Sequence, residues 1–115
     1  VLSDQNIRVP DLAVTCSPLL PGQSSLPDPV LIVEILSPSN QAKTWTNVWA
    51  YTSVPSVQEI LVLHSARVGA ELLRRTPEGL WPNRTASLTA GELVLESIGF
   101  RVALAELYAR TRLVG

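Results

Sequence analysis

Between Pro29 and Pro38 the chain reads Val30-Leu31-Ile32-Val33-Glu34-Ile35-Leu36-Ser37, seven residues from Val30 to Leu36 of which six are aliphatic. Branched side chains on both faces of an extended segment mark a strand covered on both sides, the central strand of a sheet. Pro29 suits the first position of such a strand, and Pro38 helps stop it. The rest of the chain must therefore supply a layer above this strand and a layer below it. Glu34 sits in the middle of the run, so its carboxylate belongs inside the fold or at a cleft. A carboxylate there needs backbone donors, a base or a metal. Backbone N–H groups or an arginine would satisfy it with no functional role.

The 115 residues suffice for one modest domain, read as spanning residues 1–115. A hydrophobic share of 46% beside a charged share of 17% predicts a substantial core and a surface that partners cover in part. The formal charge of −1 gives no global attraction to nucleic acid, although a local basic face is compatible with it. Cys16 is the only cysteine, which excludes an internal disulfide and a thiolate metal cluster and fits a reducing compartment. No secretory leader and no long apolar span is visible, so a cytoplasmic location away from membranes is expected.

Leu12 to Cys16 reads as a strand entered from the stiff Val9-Pro10-Asp11 segment, which can aim Asp11 into a cleft or into a turn. Ser17 to Pro29 is a proline-rich loop, with Asp28 as a turn residue. After the central strand, Ser39 or Asn40 can cap a helix over 41–51. Trp45, Val48 and Trp49 recur at helical spacing there, which predicts that they form the buried face, with Asn47 flanking it. Pro55 closes the helix region, and Glu59 to His64 forms a second buried strand with Glu59 at its far end and His64 as a hydrogen-bonding edge residue. Arg67 to Arg75 returns antiparallel, Leu80-Trp81-Pro82 starts a short edge strand, and Glu92–Glu96 with Ile98–Val102 completes the pattern. Ala103 to Arg110 is a short helix with Leu104, Leu107 and Tyr108 on one face, and Arg110 and Arg112 near its end. Asn83-Arg84-Thr85 matches a glycosylation triplet but carries little weight without a secretory segment. No phosphate-binding loop, dinucleotide glycine pattern or zinc spacing is present.

If the strands bearing Asp11 and Glu34 pair, both carboxylates can face one cleft. Two carboxylates at that range repel unless a cation lies between them, and Mg²⁺ is the natural partner for oxygen ligands. Phosphodiester hydrolysis at such a centre also calls for a nearby positive charge. The single lysine is Lys43, in the first turn of the tryptophan-bearing helix, while Leu36 lies two residues beyond Glu34 on the same strand face.

Arg8-Val9-Pro10-Asp11, Val33-Glu34-Ile35-Leu36-Ser37-Pro38-Ser39, Tyr51 and Val54-Pro55-Ser56-Val57-Gln58-Glu59 occur in that order. Together with Leu72–Arg75, Leu93–Ile98 and Leu104–Tyr108, this series resembles the Uma2 family of the restriction-endonuclease-like PD-(D/E)xK nuclease superfamily. The resemblance covers nearly the whole chain, as the C-terminal two thirds of a usual member. It implies an α+β fold with a mixed, strongly bent sheet, a helix after the central strand and a short C-terminal helix, with the N-terminal part of the usual domain absent. It implies metal ligation by Asp11 and Glu34, with Mg²⁺ or Mn²⁺ as cofactor and DNA as partner. The superfamily places a lysine where Leu36 stands, and the family moves it to the helix, four residues before a tyrosine. Here Asn47 occupies that position before Tyr51, and Lys43, one helical turn away, is the candidate substitute. Three readings stand side by side: a Mg²⁺-dependent DNA endonuclease, a catalytically inactive nuclease fold kept for binding or assembly, and a different α+β domain whose carboxylates are structural. A domain lacking its first strands exposes apolar surface, which leads to the expectation of a homodimer or of a missing upstream segment.

Overall fold

The computed structural model describes residues 11–15 and 28–111. The features expected at positions 8–10, at Cys16, in the loop over 17–27 and at Arg112 lie outside these residues. The described elements are β1 (Leu12–Thr15), β2 (Pro29–Leu36), α1 (Gln41–Tyr51), β3 (Glu59–His64), β4 (Ala70–Arg74), β5 (Ala86–Leu88), β6 (Glu92–Leu95), a 3-10 turn (Glu96–Ile98), β7 (Phe100–Ala103) and α2 (Leu104–Thr111). Asp28, read as a turn residue, is exposed and holds a φ of 46°, a conformation that aspartate tolerates.

β2 is central in composition and in contact. It pairs antiparallel with β1 and parallel with β3, and β4 and β5 follow antiparallel to give the order β1-β2-β3-β4-β5. Parallel neighbours need a long crossover, and α1 provides it. Along β2 the side chains alternate between two cores. Ile32 and Leu36 join Val48 and Tyr51 of α1 with Ile60, Val62 and Leu73. Leu31 and Val33 join Leu61 and Leu63 with Leu93, Leu95, Leu104 and Tyr108 from the layer made by β6, β7 and α2. The sheet is thus sandwiched, as the apolar run requires.

Among the described residues the fold is α+β with a mixed five-stranded sheet and two helices, and the sheet lacks the strong bend expected of it. Its five strands form an open series with β1 and β5 at opposite edges, and β6 and β7 pair only with each other as a separate ribbon. That ribbon lies across one face and does not finish the sheet. Sheets turn corners at bulges, and among the described pairs the register of β2, β3 and β4 is unbroken. The one irregularity falls between Val14 and Thr15, on the edge strand.

Two further expectations change. The edge strand is Ala86–Leu88, whereas Leu80 to Pro82 carries no strand pairing and Leu80 is two-thirds exposed. Trp81 instead stacks beneath the Arg75 guanidinium, 4.8 Å from its ring centre. Arg75 also donates to the carbonyls of Val57 and Val54, at 2.9 and 3.0 Å, and so ties down the segment between α1 and β3. In α1 the buried residues are Thr44, Val48 and Tyr51. Trp45 is half-buried against the core of that face and Trp49 is 39% exposed, so the fully buried stripe centres on Thr44, Val48 and Tyr51. Helical spacing fits both stripes. The sheet surface presented by Ile32, Leu36 and Ile60 accepts the narrower one.

Glu59 is 1% exposed at the start of β3, the end opposite Glu34. Its Oε2 accepts from Arg74 Nε at 2.8 Å, and its Oε1 accepts from the Ser97 N–H at 2.7 Å. Arg74 donates onward to the Val94 carbonyl at 2.9 Å, so the pair rivets the ribbon layer to the sheet. Burial alone raises the Glu59 pKa, but the hydrogen bonds from Ser97 and Arg74 and the Arg74 charge together lower it.

Two outcomes are expected. Val48→Ala should cost about 2 kcal/mol in urea unfolding, from two lost methyl groups and the cavity they leave, and Trp49→Ala clearly less. Because the folded pKa of Glu59 lies below its ordinary value of 4.5, its stabilisation is complete above that value and is lost as pH falls through it toward the lowered one. Unfolding midpoints followed down this acid limb should therefore fall more steeply for the native chain than for Glu59→Gln.

Candidate acidic site at the edge of the sheet

The antiparallel register of β1 on β2 pairs Leu12 with Val33. One residue further, Asp11 comes level with Glu34. Alternation puts Glu34 between Ile32 and Leu36 on the face that α1 covers, and Asp11 two residues from Ala13, which packs against the same core. The two residues hold each other. The Asp11 N–H donates to Glu34 Oε2 at 2.9 Å, and Asp11 Oδ2 accepts from the Ile35 N–H at 2.6 Å. Glu34 is 4% exposed, while Asp11 is exposed. Burial is the main cause that raises the Glu34 pKa. The Asp11 N–H works against it, and the negative charge and side-chain contact of Asp11 add to it. The pair therefore sits where one more positive charge would be stabilising.

Oxygen donors of this kind fit a hard divalent cation. Mg²⁺ is commonly held by one or two carboxylates, with water and substrate phosphate completing its shell. Among the described residues no three of His, Cys, Asp and Glu converge as a metal-binding group.

The helix residues singled out from the sequence lie on α1, which covers the face bearing Glu34. Lys43 is exposed in the first turn of α1, and among the described residues it makes no ion pair with either carboxylate. Asn47 is half-buried, one turn on, beside the inward stripe of Thr44, Val48 and Tyr51.

A second polar cluster lies on the same face. His64, expected to hydrogen-bond at a strand end, places Nε2 3.0 Å from Glu71 Oε2. Thr85 and Ser87 donate to Glu71 Oε1 at 2.7 and 2.6 Å. Burial raises the Glu71 pKa, but the bonds from Ser87, His64 and Thr85 and the His64 charge outweigh it and lower the pKa. Arg67 Nη2 lies 3.2 Å from the same His64 nitrogen. Only the register of the β3–β4–β5 hairpins brings these residues together, and no sequence spacing announces it.

Over residues 1–105 the chain matches the model of the Uma2 family, described as "Putative restriction endonuclease". It is 32% identical over 112 residues to an uncharacterized protein of Synechocystis sp., an alignment covering 94% of this chain and 57% of that protein. The chain thus spans little more than half the length of this curated relative. Among the described residues no helix is long and apolar enough to cross a membrane.

The raised pKa of Glu34 sets a sign opposite to that of Glu59. The folded state binds its proton more tightly than the unfolded chain does, so stability is lost as pH rises from the ordinary value of 4.5 through the raised one. In chelator at about pH 8, Glu34→Gln is expected to melt a few degrees above the native chain, with the difference closing at about pH 4. Adding Mg²⁺ at the higher pH should raise the native midpoint and leave that of the variant in place. Scanning calorimetry at both pH values checks it. A native midpoint that ignores Mg²⁺ would remove the metal assignment.

Proposed function

The chain belongs to the Uma2 family of the restriction-endonuclease-like nuclease superfamily, and from that premise we propose that Asp11 and Glu34 form the acidic centre of a Mg²⁺-dependent endonuclease hydrolysing DNA phosphodiester bonds. The observation that carries this reading is the reciprocal hydrogen bonding between Asp11 and the Glu34–Ile35 segment, which holds two carboxylates together at the edge of the sheet. A bound Mg²⁺ or Mn²⁺ would supply an activated water and stabilise charge on the phosphate oxygens. The protein's own part is to fix the two carboxylates, shield Glu34 from solvent and leave Asp11 open to it. Lys43 is assigned the positive charge that Asn47 cannot provide, since an amide donates hydrogen bonds but carries no charge. From the first turn of α1 its flexible stem can approach a substrate bound at the sheet edge, with Asn47 as a neutral donor beside it.

A second reading is a nuclease fold without catalysis, kept for binding or assembly. It is favoured by Leu36 and Asn47 standing at both positions where the superfamily and the family carry lysine, and by the lack of an ion pair between Lys43 and either carboxylate among the described residues.

The test compares native protein, Glu34→Ala, Lys43→Ala and Asn47→Lys on supercoiled and linear DNA with Mg²⁺ or Mn²⁺. The endonuclease reading expects native cleavage that falls by about 10² or more in both alanine variants. Cleavage that arises only with Asn47→Lys supports the inactive fold. Absence of cleavage in all four, with no divalent-ion binding by calorimetry, overturns the site assignment.

A further inference from the structure

On the face that α1 covers, the polar groups form a row across the sheet. Register places Glu34 opposite Val62, Val62 opposite Glu71 and Glu71 opposite Ser87. One step further along the parallel pair, Leu36 is opposite His64. Strand spacing puts the His64 backbone roughly 8 Å from that of Glu34, diagonally across one strand gap. His64 thus stands on the adjacent strand, beside the position where the superfamily carries its lysine.

The chemistry around His64 leaves a cation over. A ring nitrogen offers either one hydrogen or one lone pair. With the Glu71 carboxylate 3.0 Å away, Nε2 gives its hydrogen to Glu71. It then has no lone pair for Arg67 Nη2, although the two lie 3.2 Å apart. Glu71 in turn is occupied by His64, Thr85 and Ser87. Among the described residues Arg67 forms no ion pair with any acid. Its guanidinium folds back over Gly69, into the space that a Cβ there would fill, beside His64 Cδ2. Arg67, His64, Gln41 and Ser37 line one cavity of about 140 Å³ beside Leu36.

We propose that Arg67 and His64 form a phosphate-binding subsite that takes a backbone phosphate of DNA alongside the Asp11–Glu34 pair. The planar guanidinium fork matches two phosphate oxygens. His64, held by Glu71, forms the cavity wall beside the guanidinium and leaves the Arg67 hydrogens free for a phosphate. The α1 face then has an acidic pole suited to a hard cation and a basic pole suited to the phosphate, one strand apart. The choice of DNA as ligand rests on the nuclease reading, but the test needs no cleavage.

Binding of a short fluorescein-labelled duplex is measured by anisotropy in EDTA over a salt series. Arg67→Ala should weaken binding several-fold and reduce the slope of log K against log salt by about 1, whereas Arg67→Lys keeps most of the slope. Arg101→Ala is the control. Arg101 pairs with Glu92 at 3.5 Å in the ribbon on the other side of the sheet, and its removal should leave the slope unchanged. Arg67 is exposed, so the variant should melt as the native chain does. Three results overturn the subsite: equal losses in Arg67→Ala and Arg101→Ala, a native slope in Arg67→Ala, or no duplex binding by the native chain. Arg67-dependent binding without cleavage in Mg²⁺ keeps the subsite and discards the nuclease reading. Cleavage with Arg67-independent binding does the reverse.

Discussion

Two parallel strands cannot be joined by a tight turn, and the pairing of β2 with β3 therefore governs what else this chain can do. The connection must climb over the sheet, and α1 is the piece that climbs. Once it is in place, β2 and β3 end side by side, with Leu36 next to His64 and Ser65 donating its N–H to the Leu36 carbonyl at 2.9 Å. The same pairing makes β2 internal, so each of its faces must be covered. The α1 layer and the ribbon with α2 meet that demand separately, one per face. Polar groups that alternation assigns to the α1 side are gathered where the helix begins.

The three buried or nearly buried glutamates of the sheet show how differently one side chain can be housed. Glu59 and Glu71 are saturated with donors, an arginine and two backbone N–H groups in one case, a histidine and two hydroxyls in the other. Both are held below the ordinary carboxylate range. Glu34 has the Asp11 N–H and, beside it, a second acid. Desolvation acts on all three, so the difference lies in the partners. A structural carboxylate is surrounded by what it needs. Glu34 has a fellow acid beside it where the other two have an arginine or a histidine.

Much of this arrangement can be read from the amino acids, and the failures are instructive. The run from Val30 to Leu36 announces a doubly covered strand because its composition leaves no polar face, and Glu34 stands out for the same reason. The helix over 41–51 was legible from spacing, but its inward face was not. Trp45, Val48 and Trp49 make a plausible stripe, yet Thr44, Val48 and Tyr51 are what the sheet accepts. Periodicity gives the width of a stripe and leaves its rotation to the surface it meets. Leu80-Trp81-Pro82 has strand-like composition, but Arg75 claims Trp81 as a stacking partner and the edge passes to Ala86–Leu88. The curvature of the sheet was inferred from resemblance, and in this chain an uninterrupted register leaves it open. The His64–Arg67–Glu71 cluster was invisible because it depends on hairpin register, a quantity that local patterns do not encode.

Tyr108 ties the last helix to a turn far back in the sequence. Its hydroxyl reaches the carbonyls of His64 and Gly69, at 2.5 and 2.7 Å, and accepts the Gly69 N–H at 3.3 Å. The mouth of the turn that carries Arg67 is thus latched from the opposite layer, through the core and not along the chain. In a cooperative structure, such a latch places two distant segments in one unit of local opening. The Gly69 amide should then share its hydrogen-exchange rate with the amides of α2 and not with those of the neighbouring β4. A fraying helix end would reach the far side of the sheet as a loosened turn.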